Sequence, residues 1–282
     1  MGPVTDWTSV ISTDFAVPDD RPLPDLVDDL CAMLAAGDPG VRDDTAYPVL
    51  AMWTGRGVLD GHLEQLGDRM ADRLRHDEIQ ARTFATMILG WVVLRDARTG
   101  GLPAACVPRW RDAFATWWAG EKDLRGYDDR LGWLHAAAHG ADTVRAFARS
   151  PRLGAVELTG LLDLTVDRLC AAAGYLYAHG EDDRIAYALA SVLTRAELTA
   201  DDATAWLGRV GAEVEVGEPG QVAAWASNTL RTLGALYVFA DRGVCWFEPE
   251  TGSLGPPVRL PHAMPVKERL AEVLRLAWRG LG

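Results

Sequence analysis

Apolar residues recur at helical spacing along most of the chain, and Gly, Pro and Asp interrupt them at intervals of helical length. The pattern predicts helices over residues 24–36, 43–55, 58–75, 77–97, 105–121, 128–149, 155–173, 182–197, 200–213, 219–240 and 264–280. The exception is GVCWFEPETGSLGPPVRLP, Gly243 to Pro261, where Thr251-Gly252 separates short β-prone pieces. A hairpin or ordered loop is therefore expected over residues 243–262, before the last helix. Residues 1–22, rich in Pro and Asp around Trp7 and Phe15, read as an extended N-terminal arm.

The helix starts resemble one another. DDRLGWLHAAA from Asp128 and DDRIAYALASV from Asp182 share Asp-Asp-Arg-aliphatic, with an aromatic residue three positions after the Arg. DPGVRDDTAYPVL from Asp38 and HDEIQARTFATMIL from His76 follow the pattern more loosely. Acidic residues at a helix start serve the cap and the dipole, so capping and inter-repeat ion pairs account for these clusters. Units of this length suit stacked helix pairs. The expected fold is all-α: residues 1–282 as one domain, a right-handed α-α solenoid of irregular HEAT-like helical repeats.

Three ordered segments carry a resemblance. DPGVRDDTAYPVLAMW, RLGWLHAAAHGADTV and SNTLRTLGALYVFADRG look like the signature segments of a bacterial family known as domain of unknown function 2785. The resemblance runs from Trp7 to the last helix. It implies one continuous helical domain and carries over no catalytic residue.

The candidate chemistry lies in LGWLHAAAHGADTV, Leu131 to Val144. At about 100° per residue, His135, His139, Asp142, Asp128 and Arg149 share one helix face, with Trp133 and Val144 roughly opposite. Read alone, that pattern is amphipathic, with the polar face in water and Trp133 in the core. The repeats argue otherwise. With Asp182 laid on Asp128, His135 and His139 match Leu189 and Leu193, and in the looser copy the trio matches Phe84, Ile88 and Trp91. A face that is apolar in its siblings is a buried face, and buried polar groups need partners.

Three readings of His135, His139 and Asp142 stay open. They form a structural network, or a polar binding or acid–base site, or ligands of a divalent metal. No glutamate stands where HExxH would place a general base. Trp133, Asp128 and Asn228 are candidate ligand contacts beside the trio. Of the adjacent Trp117 and Trp118, one is expected to pack and the other to face solvent, a groove or a neighbour.

Composition narrows the function classes. Net charge is −12, and no basic stripe appears, which argues against nucleic acid. The acidic balance suits a peptide, a small molecule or a cationic protein as partner. Phe84 to Leu94 is the longest nearly uncharged apolar run and is about half of what a bilayer requires. The start Met-Gly-Pro lacks a basic-then-apolar leader, so a cytoplasmic location is expected. Cys31, Cys106, Cys170 and Cys245 form no CxxC pair and read as free thiols. There is no GxSxG elbow, no phosphate-cradling GxxxxGK[ST] and no GxGxxG. Binding in a concave groove is the favoured reading, with an enzyme or an adaptor as alternatives.

Overall fold

Local chemistry sets the ends of the helices in the computed structural model, which describes residues 5–215, 222–248 and 253–278. Asp6 caps α1 (Trp7–Ser12) by accepting the Ser9 N–H at 3.1 Å. The expected extended arm therefore begins with a short helix, and its Val10 is buried. Next come α2 (Leu23–Met33), the single turn α3 (Pro39–Val41) and a π-helical turn at Arg42–Ala46 that leads into α4 (Tyr47–Arg56). Left-handed glycines stop α4 at Gly57 and α6 at Gly100. Acidic residues fill the first turn of α10 at Glu181, Asp182 and Asp183, where they favour the positive end of the dipole.

The remaining helices are α5 (Leu63–Arg73), α6 (Ile79–Thr99), α7 (Cys106–Gly120), α8 (Ala136–Ala148), α9 (Ala155–Cys170), α10 (Glu181–Leu193), α11 (Ala200–Glu215), α12 (Ala224–Arg242) and α13 (Ala263–Trp278). They pack by parity. α6 lies against α4 and α8, α8 against α10, and α10 against α12; α7 lies against α5 and α9, α9 against α11, and α11 against α13. One continuous cluster of buried side chains runs from Val10 to Val273. α6 is buried on most of its circumference, from Ile79 through Phe84 and Ile88 to Val93, as a helix with neighbours on several sides must be. Gly140 lets α8 meet Trp118: a Cβ there would lie 2.0 Å from the indole nitrogen, which donates to the Ala136 carbonyl. Both Trp117 and Trp118 are buried; Trp118 packs inside, while Trp117 lines a groove beside Arg82, Gly120 and Lys122, as expected for one of the two. Trp117 donates to Glu121, and Trp118 fills the space opposite Gly140.

The helix expected over 128–149 is broken. Its first part is a tight hairpin, with β1 (Tyr127–Asp128) antiparallel to β2 (Gly132–Trp133) and Tyr127 opposite Trp133. Asp128 Oδ1 accepts the N–H groups of Arg130 and Leu131 at 3.0 and 2.9 Å, and Gly132 takes φ +71°. That turn chemistry wins over helix propensity. The Asp-Asp-Arg at 128–130 is thus a turn while its counterpart at 182–184 opens a helix, so the two are not copies of one helix start. A second hairpin pairs β3 (Phe247–Glu248) with β4 (Ser253–Leu254), as expected for this segment. Its Thr251-Gly252 turn lies outside the described residues. All four cysteines are free. Among the described residues no helix is long and apolar enough to cross a membrane.

Candidate functional site

His135 is the hinge between hairpin and helix. It takes a left-handed conformation (φ 46°, ψ 38°), uncommon for a residue with a side chain, and its carbonyl accepts the first helical bond from the His139 N–H at 2.8 Å. Its own N–H is shared between the Arg125 and Gly126 carbonyls. The hairpin is clamped from the π-turn, where Arg42 donates to the Leu131 carbonyl.

This geometry gathers the imidazoles. The His135 ring lies 4.5 Å from the Trp133 indole, 6.0 Å from His179 and 5.7 Å from His139, and His139 meets the edge of Phe84 at 5.4 Å. His135 and His139 are only 7% and 5% exposed, whereas Trp133 is 42% exposed. The amphipathic reading therefore fails for His135, His139 and Trp133, while Val144 is buried as it expected. Trp133 is a lid over the imidazoles, in edge contact with Tyr127 at 5.0 Å.

His135 Nε2 faces Glu181 Oε1 at 3.7 Å, beyond hydrogen-bond reach, and both atoms are buried without another partner. The second oxygen of Glu181 accepts the His179 N–H at 2.8 Å. Burial, then the charges of Arg184 and His179, push the His135 pKa down to about 4. Burial, Arg184 and His135 hold His139 far below its usual value, against a backbone hydrogen bond at Thr83. Both rings are neutral at pH 7.

Asp142 does not join them. Its carboxylate is paired with Arg184, whose Nε lies 3.3 Å from Oδ1. The expected trio is thus a pair of histidines in edge-to-face contact and a separate Asp–Arg ion pair. Among the described residues no three His, Cys, Asp or Glu side chains converge to hold a metal ion. The other candidates tie the scaffold together. Asp128 is spent on its hairpin turn and on Arg125, at 2.5 Å. Asn228, 2% exposed, accepts the Tyr177 N–H and donates to the Tyr175 carbonyl, each at 2.9 Å, and so pins the segment before α10 to α12.

Asp142 instead lines a groove of about 220 Å³ among α4, α6, α8, α10 and the strand-like segment at Trp246. Close approach of α6 and α8 makes its floor: Gly90 leaves room for Thr143 and Ala146, and Thr86 and Thr143 share a hydroxyl hydrogen bond at 3.1 Å. Trp91, Tyr187 and Trp246 stand in its walls. Trp91 donates to the Tyr47 hydroxyl at 3.3 Å, and the Tyr187 hydroxyl donates to the Cys245 carbonyl at 2.5 Å. Arg145 lies over the Tyr187 ring at 5.3 Å and Arg149 over Trp246 at 5.0 Å. The sequence reading placed Arg149 on the polar face but missed the groove. One signal was available: Arg145 and Arg149 are four apart and so share a helix face.

No curated protein and no solved structure matches the chain. A family model does match, over residues 71–238, a shorter span than the resemblance suggested. The matched stretch holds the histidine cluster and the α6, α8 and α10 walls of the groove, while Tyr47 and Trp246 stand outside it. That model describes DUF2785, a protein family of unknown function, and with more than half of its length matched the chain belongs to this family.

Proposed function

We propose that this protein binds a small molecule in the groove among α4, α6, α8 and α10, and that its helices stack as an irregular α-α solenoid of HEAT-like pairs. The observation that carries the reading is the groove itself, walled by Trp91, Tyr187 and Trp246 and served by a few charged groups. Mostly apolar walls with sparse polar anchors are the usual make-up of small-molecule sites. Its volume of about 220 Å³ favours a metabolite-sized ligand over a peptide. Of His135, His139 and Asp142 only Asp142 lines it. The alternation of odd and even helices supports the solenoid reading. Four free cysteines are in keeping with a cytoplasmic setting.

The test is a metabolite thermal-shift screen on the wild type and on Leu94→Trp, which fills the groove with a larger side chain. A ligand at a hundred times its Kd adds about 2.7 kcal/mol of stability. For a chain of this size that is an upward shift in Tm of about 5 °C. Hits should vanish in Leu94→Trp. Hits that persist undiminished place the ligand elsewhere and defeat the proposal.

A further inference from the structure

The charges lining the groove do not balance. Asp142 is the one carboxylate among its described walls, and it is already held by Arg184. Arg95 is likewise matched, with its Nε and one terminal nitrogen on the two oxygens of Asp60 at 2.7 and 2.6 Å. Arg145 and Arg149 are different. Among the described residues neither takes a carboxylate; each lies over an aromatic ring, and Arg145 Nε is buried without a hydrogen-bond partner. Two guanidinium groups therefore meet in one partly covered groove of a chain whose net charge is −12.

Helix-end duty does not explain them. The carbonyls beyond α8 are served by Arg195, which donates to Ala148, Ser150 and Leu153 at 2.7 to 3.0 Å. The aromatic contacts hold Arg145 and Arg149 without neutralising them. A guanidinium flat on a ring keeps its N–H edge free for an acceptor in its own plane. The pair also disfavours itself: burial, then the like charges of Arg145 and Arg98, lower the Arg149 pKa below the ordinary guanidinium value. An anion between the two would relieve that repulsion and supply acceptors for charge-assisted hydrogen bonds.

We infer that the groove takes a small organic anion, with its acidic head on Arg145 and Arg149 and its flat apolar body against Trp91 and Leu94. This rests on the groove being the ligand site. The head is a carboxylate or a phosphate ester, since each can present two acceptor oxygens to a guanidinium fork. The body follows from the walls beyond the arginines, where Met87, Leu94, Ala146 and the Trp91 ring offer carbon surface.

Four probes at millimolar concentration test it by calorimetry and thermal shift on the full chain: benzoate, phenyl phosphate, the neutral benzamide, and inorganic phosphate. Benzoate or phenyl phosphate should bind at least about tenfold more tightly than benzamide, and more weakly as salt rises. Whichever binds better identifies the head. Arg145→Met and Arg149→Met should each lose about tenfold or more for that probe and little for benzamide. Probe-free melting of each variant reports whether it folds. Arg145→Lys and Arg149→Lys provide a second pair, in which charge remains without the fork and part of the affinity should survive. Benzamide binding as well as benzoate would leave the groove as a site and overturn the anion. Inorganic phosphate binding as tightly as phenyl phosphate would overturn the apolar body. No response to any of the four would overturn the anion, while the groove reading stands or falls separately by the metabolite screen and Leu94→Trp.

Discussion

His135 and His139 couple this fold to pH through their burial. Both imidazoles are held below the ordinary 6.5, His135 at about 4. As pH falls below 6.5 the unfolded chain takes up protons that the folded chain refuses, so acid favours unfolding and stability drops. For His135 the loss runs from about pH 6.5 down to about pH 4 and reaches about 2 kcal/mol by pH 5. Urea denaturation at pH 7 and pH 5 checks this: the wild type should lose more between the two than His135→Gln/His139→Gln does. An equal loss in both would mean that other groups govern the acid limit. Gly140 makes a second residue-scale prediction. A Cβ there would lie 2.0 to 2.5 Å from three atoms of the fully buried Trp118 ring, which would have to move and break its bond to the Ala136 carbonyl. Gly140→Ala should destabilise by about 2–3 kcal/mol, read as a lower urea midpoint at constant slope.

The hairpin of β1 and β2 is the element on which the histidine cluster depends, and it is where the sequence misled most. Helical periodicity located most helices to within a few residues, because apolar spacing and glycine stops are local properties. It failed over 128–135, where Asp128 caps a turn and Gly132 supplies a positive φ. The alternation Tyr127 to Trp133 around a Gly-containing turn was the missed signal. Burial of the histidines was anticipated by a repeat alignment that does not survive, since its Asp-Asp-Arg is a turn. The groove was illegible for a different reason: its walls come from helices brought together by packing order, to which no single window of sequence refers. Gly132→Ala tests the hairpin. It would force a left-handed residue with a Cβ 2.9 Å from the Pro39 ring. The expected loss is about 1–2 kcal/mol. Because the hairpin carries Trp133 across His135, the variant should also raise acrylamide quenching of the tryptophan fluorescence. Unchanged stability and quenching would show that the lid is held without the turn.

Parity packing gives the molecule a direction. α8 packs mainly against α6 and α10 and less against α7 and α9, whereas α1 and α13 are the first and last helices described. The family match at 71–238 takes in this middle section and leaves α1 to α4 and α13 outside. In a stack where each unit touches mainly its neighbours, stability is a sum of unit and interface terms, and the end units hold by one interface only. Opening should therefore begin at the ends and reach the middle last. Native-state hydrogen exchange tests this on the whole chain. Amides in α6, α8 and α10 should exchange most slowly, and those in α2 and α13 sooner and with a weaker dependence on added urea. Direct long-range ties work against a simple gradient, as where Arg42, ahead of α4, holds the carbonyl of Leu131 beyond α7. If these ties dominate, every slow amide will share one opening free energy and one urea slope. The protein would then be a single cooperative globule, and the proposed solenoid description would fail.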